Sequence, residues 1–326
     1  MFRFLKRLVL TLVVLVALVA GLLFLGPRER IERGAGLAAG PGVAAVLEAR
    51  EAAFTDITPG AEARVIWAGE PEARTPVSIL YLHGFSATSE EIRPVPDDVA
   101  AALGANLIFA RLAGHGRTGA ALGRAEAGQW VDDVALFLDL ARQAGDRVIV
   151  IGTSTGATLA AYAAADPEMS QDIAGIVMVS PNFRVANPAG FLMELAFARA
   201  YVPYLVGPER GFEPINEMQA RYWTTRYGSG ALTSLGTLMR ETRALDFGAV
   251  SVPVLAIFSD NDQVVSPEAT REILAGWGGP VTLAPQDLPE EGVDPYFHVI
   301  AGDILSPAMT ARVTETILDW SAGILP

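Results

Sequence analysis

The chain of 326 residues has no cysteine, a single lysine and only three histidines. Without a thiol there is no disulfide scaffold, zinc–thiolate site, iron–sulfur cluster or cysteine nucleophile. Positive charge is also short: 24 Lys+Arg stand against 37 Asp+Glu, for a formal net charge of −13. Six basic side chains (Arg3, Lys6, Arg7, Arg28, Arg30, Arg33) and two acidic ones (Glu29, Glu32) fall in residues 1–33, so the remainder carries −17. A body that acidic repels phosphate backbones, which makes nucleic acid a poor partner. No internal repeat or low-complexity tract appears beyond the first 45 residues. What the chain has in excess is apolar surface, 51% hydrophobic against 19% charged residues. That is more than an ordinary soluble domain carries and points to a membrane segment.

Leu8 to Leu25 supplies it: eighteen residues whose only polar member is Thr11, preceded by Arg3, Lys6 and Arg7. As a helix this just crosses about 30 Å of hydrocarbon. A cleaved signal peptide has a shorter apolar core and a small-residue cleavage site. Here Val19-Ala20-Gly21 is followed by Leu22-Leu23-Phe24-Leu25, so the apolar run continues past the best candidate site. The expectation is an uncleaved, single-pass anchor with the rest of the chain extracytoplasmic; the alternative is secretion after cleavage.

Past a Gly/Ala-rich linker (Gly34 to Gly42) and a short helical pattern near Val43 to Phe54, apolar runs alternate with amphipathic stretches. This pattern predicts a mostly parallel sheet with crossover helices. The runs are Val77–Leu82, Leu107–Leu112, Val148–Ile151, Ile176–Val179, Val252–Phe258 and Val281–Ala284. They lack period-two alternation, as strands covered on both faces do. Trp130, Val131, Val134, Phe137, Leu138 and Ala141 share one helical face. Ser306-Pro307 predicts the N-cap and first residue of a final helix. The interval Arg184–Phe247 shows no strand-like run but nine aromatics, which predicts a helical insertion over the carboxyl edge of the sheet, with about half the rings facing a pocket. The expected divisions are 1–33 (anchor and juxtamembrane segment), 34–60 (linker and short helix), 61–183 (first part of the core), 184–247 (helical cap) and 248–326 (second part of the core).

Gly152-Thr153-Ser154-Thr155-Gly156 matches G-x-S-x-G between a strand-like run and a helix-like one. A sharp strand-to-helix turn would expose the Ser154 hydroxyl above the sheet, with Gly152 and Gly156 avoiding side-chain clashes, and the free N–H groups of the helix would favour developing negative charge. A serine needs a base within hydrogen-bond reach. In the order Ser…Asp…His only His298 qualifies, which leaves His83 and His115 to organise their turns. The base needs an acceptor that fixes its tautomer. Ser259-Asp260-Asn261-Asp262 follows the Val252–Phe258 run and offers two carboxylates. Asp262 is preferred because it lies further into the loop. For the oxyanion, the N–H of Thr155 is one expected donor and that of Phe85 the other, with Gly84 letting the chain bend inward.

These residues resemble the α/β-hydrolase superfamily, in particular its monoacylglycerol-lipase-like and serine-aminopeptidase-like branch with a helical cap. The likeness spans about residues 60–326 and rests on Leu82-His83-Gly84-Phe85-Ser86, Arg111-Leu112-Ala113-Gly114-His115-Gly116, the Gly152–Gly156 pentapeptide, Ser259–Val265 and His298. It implies Ser154, Asp262 and His298 as nucleophile, acid and base, with Phe85 and Thr155 forming the oxyanion hole. Ser259, where the family often has glycine, and the flanks Thr153 and Thr155 depart from its pattern. The expected activity is hydrolysis of small or medium acyl esters without metal or organic cofactor. A peptidase of the same branch would need an acidic pocket for a free amino terminus, for which Glu194, Glu209, Glu213, Glu217 and Glu241 are candidates. A non-catalytic ligand-binding protein on this scaffold is the remaining alternative.

Overall fold

The apolar runs in the middle of the sheet become strands because their side chains alternate between two buried faces rather than between core and solvent; the run at Val281, on the sheet edge, is largely exposed. In the computed structural model, which describes residues 2–34, 40 and 42–325, the strands are β1 (Arg64–Ile66), β2 (Thr75–Leu82), β3 (Asn106–Phe109), β4 (Gly145–Thr153), β5 (Ile173–Val179), β6 (Glu209–Gly211), β7 (Arg226–Gly228), β8 (Val254–Phe258) and β9 (Val281–Pro285). The helices are α1 (Phe2–Leu25), α2 (Val43–Glu51), α3 (Val95–Leu103), α4 (Gly119–Arg124), α5 (Ala127–Ala144), α6 (Thr155–Ala165), α7 (Ala198–Val206), α8 (Glu217–Tyr222), α9 (Gly230–Arg243), α10 (Pro267–Ala275) and α11 (Thr310–Ala322). Seven strands form one sheet in the order β1-β3-β2-β4-β5-β8-β9, parallel except at β1.

Leu80, Val150, Met178 and Ala256 point to the face covered by α5 and α6. Their neighbours Ile79, Ile151, Val177 and Leu255 point to the face covered by α3 and α11. Each of these side chains except Ala256 contributes about 1.5–3 kcal/mol by leaving water. Helix α5 begins with a capping box in which Gln129 accepts from the Glu126 N–H at 2.9 Å. Its Trp130 donates to the Ala113 carbonyl at 3.0 Å, tying the helix to the loop after β3.

Several expectations change. The run Leu107–Leu112 stops as a strand at Phe109, because buried Arg111 turns away to pair with Glu51 at 2.6 and 3.0 Å. The interval Arg184–Phe247 is mainly helical, yet Glu209–Gly211 and Arg226–Gly228 form a small antiparallel hairpin, whose side chains show no apolar pattern and are exposed except for Tyr227. Ser306 does not cap the last helix. A 3-10 turn, Pro307–Met309, comes first, and the Ser306 hydroxyl instead accepts from the Asp294 N–H at 2.9 Å and donates to the Val299 carbonyl. Of the linker Gly34 to Gly42, residues 35–39 and 41 lie outside the described residues.

Helix α1 is long and apolar enough to cross a membrane, at about 36 Å for 24 residues, and its side chains are unburied. Its carboxyl end and the segment after it touch the insertion: the Leu23 carbonyl accepts from the Ala196 N–H at 3.0 Å, and Glu29 pairs with Arg199 at 2.5 Å.

Candidate active site

Strand β4 ends at Thr153 and α6 begins at Thr155, so Ser154 alone makes the turn. It does so at φ 52° and ψ −112°, a costly conformation for an L residue. Hydrogen bonds on both sides hold it there: the Ser154 N–H donates to the Val179 carbonyl at 2.8 Å, and its carbonyl accepts from Ala157 and Asn182 at 3.1 and 3.2 Å. Glycine is required at the flanks by space. A Cβ at Gly156 would lie 2.0 Å from the Leu82 carbonyl oxygen, and one at Gly152 would lie 2.6 Å from the Ala157 nitrogen.

The loop after β9 brings His298 over this turn. Its Nε2 lies 3.0 Å from Ser154 Oγ and its Nδ1 2.8 Å from Asp262 Oδ2. All three side chains are buried. The other Asp262 oxygen accepts the Val264 and Val265 N–H groups at 2.8 and 2.9 Å, which fixes the carboxylate's direction. Asp260 faces outward and pairs with Arg271 at 2.6 Å. Asp294 accepts the N–H groups of Tyr296, His298 and Val299 and so shapes the loop carrying the imidazole. Burial pulls the His298 pKa down, but the charge and hydrogen bond of Asp262, with smaller help from Glu91 and Asp294, outweigh it and leave it above the ordinary value.

His83 and His115 have other bonds. His83 Nε2 accepts the Leu112 N–H at 3.1 Å while Nδ1 donates to the Gly84 carbonyl at 2.9 Å. His115 Nδ1 donates to the Ala113 carbonyl at 3.1 Å.

Phe85 lies in the loop after β2, its ring set edge-on to Tyr227 at 5.1 Å. Among the described residues, neither the Phe85 nor the Thr155 N–H donates to a protein acceptor. The bend here differs from expectation. Ser86, at φ 63°, takes the left-handed position, not Gly84. Gly84 is needed for room, since a Cβ there would sit 2.6 Å from Glu91 Oε1. Glu91 went unnoticed in the sequence. It is fully buried beside the cleft, its Oε2 accepts the Gly84 N–H at 2.7 Å, and burial pushes its carboxyl up to about 7. Sequence alone does not separate it from Glu90, which pairs with Arg64 at 2.7 Å.

Above Ser154 is a cavity of about 710 Å³. The insertion supplies much of its wall, including Met193, Phe212, Trp223, Tyr227, Leu232 and Leu235. Three of the nine aromatics, Phe212, Trp223 and Tyr227, face it, fewer than the expected half. Tyr204 and Phe197 are exposed, and Phe247 stacks on Trp277 at 5.2 Å. Of the five acidic candidates for binding an amino terminus, only Glu213 lines the cavity. Glu194, Glu209 and Glu241 pair with Arg243, Arg226 and Arg240, and Glu217 is exposed. A cavity of about 820 Å³ beside α2 contains none of the residues named for catalysis, and its Arg50 and Arg111 are paired with Asp133 and Glu51.

A family model described as "Serine aminopeptidase, S33" matches residues 74–282. The chain is 29% identical over 201 residues to a thermostable monoacylglycerol lipase of a Bacillus species, a span covering 62% of this chain and 76% of that protein. A solved structure from work on the metagenome-derived lipolytic enzymes LipS and LipT superposes with a TM-score of 0.66 at 22% identity, covering 82% of this chain and 99% of that one. The monoglyceride lipase of Saccharomyces cerevisiae, solved with a substrate analog, gives 0.60 at 11% identity over 81% and 92% of the two chains. At these identities the two structures are similar to this one in fold.

Proposed function

The chain belongs to the serine aminopeptidase family of α/β-hydrolases, and we propose that it hydrolyses carboxylic esters through an acyl-enzyme on Ser154. The observation that carries this reading is the unbroken line from Ser154 Oγ through both nitrogens of His298 to Asp262 Oδ2, at 3.0 and 2.8 Å. His298 takes the hydroxyl proton as Ser154 attacks the ester carbonyl. Asp262 keeps Nδ1 protonated and stabilises the imidazolium that forms. The tetrahedral oxyanion receives the N–H groups of Phe85 and Thr155, each worth about 3 kcal/mol when well placed. The alcohol leaves with the proton from His298, and water cleaves the acyl-enzyme by the same steps in reversed roles.

The apolar cavity wall supports an acyl chain as the bound group, and the monoacylglycerol lipase relative supports an ester over an amide. With four of five candidate acids paired or outside the cavity, recognition of a free amino terminus has less support; acyl esters should turn over well faster than aminoacyl-arylamides. Residues 184–247 act as the cap over this pocket, between core parts 61–183 and 248–326, with 1–33 and 34–60 as anchor and linker. In this reading α1 stays attached and holds the body on the extracytoplasmic side. The contacts of Leu23 and Glu29 with Ala196 and Arg199 support retention. Intact mass of membrane-extracted protein should include residues 1–33; a mature form lacking them would mean a cleaved signal.

Replacing Ser154 with Ala should leave folding and thermal stability near wild type and remove hydrolysis of a p-nitrophenyl acyl ester by about 10⁵-fold or more. Near-full activity in that variant would exclude the mechanism, and failure of a fluorophosphonate to label Ser154 in folded wild type would favour a non-catalytic binding protein.

A further inference from the structure

Two backbone N–H groups from different loops must converge on one oxygen if the reading above holds, and the protein has to keep them in register. The Thr155 N–H is fixed by the strained turn and α6. The Phe85 N–H lies on a free-running loop whose backbone has no strand or helix partner at Phe85. Burial of a carboxyl group with no cation is costly, yet Glu91 is 2% exposed and pairs with no Arg, Lys or His among the described residues. Its neighbour Glu90 takes both nearby guanidinium groups, Arg64 and Arg93.

The bonds of Glu91 run in one direction. Its Oε2 accepts the Gly84 N–H at 2.7 Å and the Tyr81 hydroxyl at 3.2 Å. The Tyr81 oxygen lies 3.1 Å from Thr153 Oγ1. With the Tyr81 proton given to Glu91, the Thr153 hydroxyl is the donor to Tyr81. Thr153 is the residue before Ser154, and Gly84 is the residue before Phe85. Tyr81 and Thr153 are fully buried on adjacent strands, β2 and β4, where Leu82 is registered against Gly152. One buried chain of side chains therefore runs from the Gly84 N–H, one residue before the proposed donor Phe85, to the Thr153 hydroxyl, two residues before the proposed donor Thr155. Glu91 also fills the space a side chain at position 84 would need.

We propose that Glu91 is a positioning residue that, through Tyr81 and Thr153, locks the Phe85 loop to the Ser154 turn and sets the spacing of the two oxyanion donors. The inference rests on the serine-hydrolase reading. Its effect lies in the transition state, where the oxyanion forms, so it is read in kcat and not in KM.

The experiment compares Glu91→Ala, Glu91→Gln and Tyr81→Phe in the full-length protein. It measures kcat and KM for p-nitrophenyl butyrate per site titrated with a fluorophosphonate, alongside thermal unfolding. Glu91→Ala should lower kcat per titrated site by about 30-fold or more with KM within about threefold. Glu91→Gln keeps an oxygen acceptor for Gly84 and should recover to within about fivefold of wild type, with Tyr81→Phe between the two. Unchanged kcat per site in Glu91→Ala or Tyr81→Phe, a loss confined to KM, or Glu91→Gln as poor as Glu91→Ala would overturn the proposal. If Glu91→Ala does not fold, Tyr81→Phe and Glu91→Gln decide by the same criteria. Wild type that turns over the ester without labelling at Ser154 overturns the serine reading and this inference with it. Wild-type labelling with unaltered variants overturns this inference alone.

Discussion

His83 and His115 lie in the turns after β2 and β3 with ring centroids 4.9 Å apart, both more buried than His298. Their surroundings drive them the opposite way. Burial holds His83 down to about 4 and His115 well below its ordinary value, with the proximity of Arg111 adding to both. His83 is moreover fixed as the neutral tautomer, because Nε2 must accept the Leu112 N–H. His298 has the carboxylate of Asp262 against it, with smaller help from Glu91 and Asp294, and is raised. Burial alone favours the neutral imidazole, and a directed carboxylate favours the protonated one. In the proposed mechanism this contrast puts the base in the loop after β9 and leaves the two turns near β2 and β3 to architecture.

The largest test of that contrast removes the carboxylate. Asp262→Asn should lower kcat by about 10⁴-fold while the fold stays intact. Asp260→Asn should change it less than about twofold, because its partner Arg271 is at the surface. Equal losses in both would break the comparison.

Next in size is the cost of disturbing an architectural histidine. His83→Ala leaves the Leu112 N–H without a partner, leaves the Gly84 carbonyl with only the Ala87 N–H, and opens a cavity, for roughly 2–4 kcal/mol by chemical denaturation. Its pH dependence carries a sign. The unfolded chain takes up a proton near pH 6.5 that folded His83 refuses until about 4, so His83 makes wild-type stability fall as pH drops through that interval. The variant should show a shallower acid slope. His298, raised on folding, contributes in the other direction: its stabilisation is complete below its unfolded pKa and is lost as pH rises through the folded one.

The mildest effect sharpens the same point in kinetics. In the proposed mechanism His298 must be neutral to accept the serine proton, so kcat/KM should fall about tenfold per pH unit on the acid side, with the midpoint above the ordinary histidine value of about 6.5. A midpoint near 4 would point to a histidine of the His83 kind.

The central strands were readable because a sheet covered on both faces needs continuous apolar runs, and Ile79 and Leu80 show how neighbours serve different cores; the edge strand Arg64–Ile66, three residues long and only partly buried, was not. Nor was the hairpin of Glu209–Gly211 with Arg226–Gly228, since the strands are three residues each, their cross-strand side-chain pair is the exposed Glu209–Arg226, and Tyr227 alone is turned inward. Ser306-Pro307 reads as a helix start, but the Ser306 hydroxyl is engaged in shaping the Asp294–Val299 loop. In the cleft, the pentapeptide around Ser154 carries a local signature, because its glycines answer clashes within a few residues along the chain or on the next strand. Glu90 and Glu91 look alike in sequence, and only the packing sends one to Arg64 and the other beneath Gly84.

Composition and local pattern by themselves determined the apolar leader, the parallel α/β order and the strand–serine–helix turn, since each is dictated by side-chain hydrophobicity or by sterics within a short stretch. The tertiary structure alone decided which aspartate meets His298, which histidine becomes basic and where Glu91 is buried. Those outcomes depend on distances of about 3 Å between loops up to 144 residues apart, and no short-range preference encodes such distances.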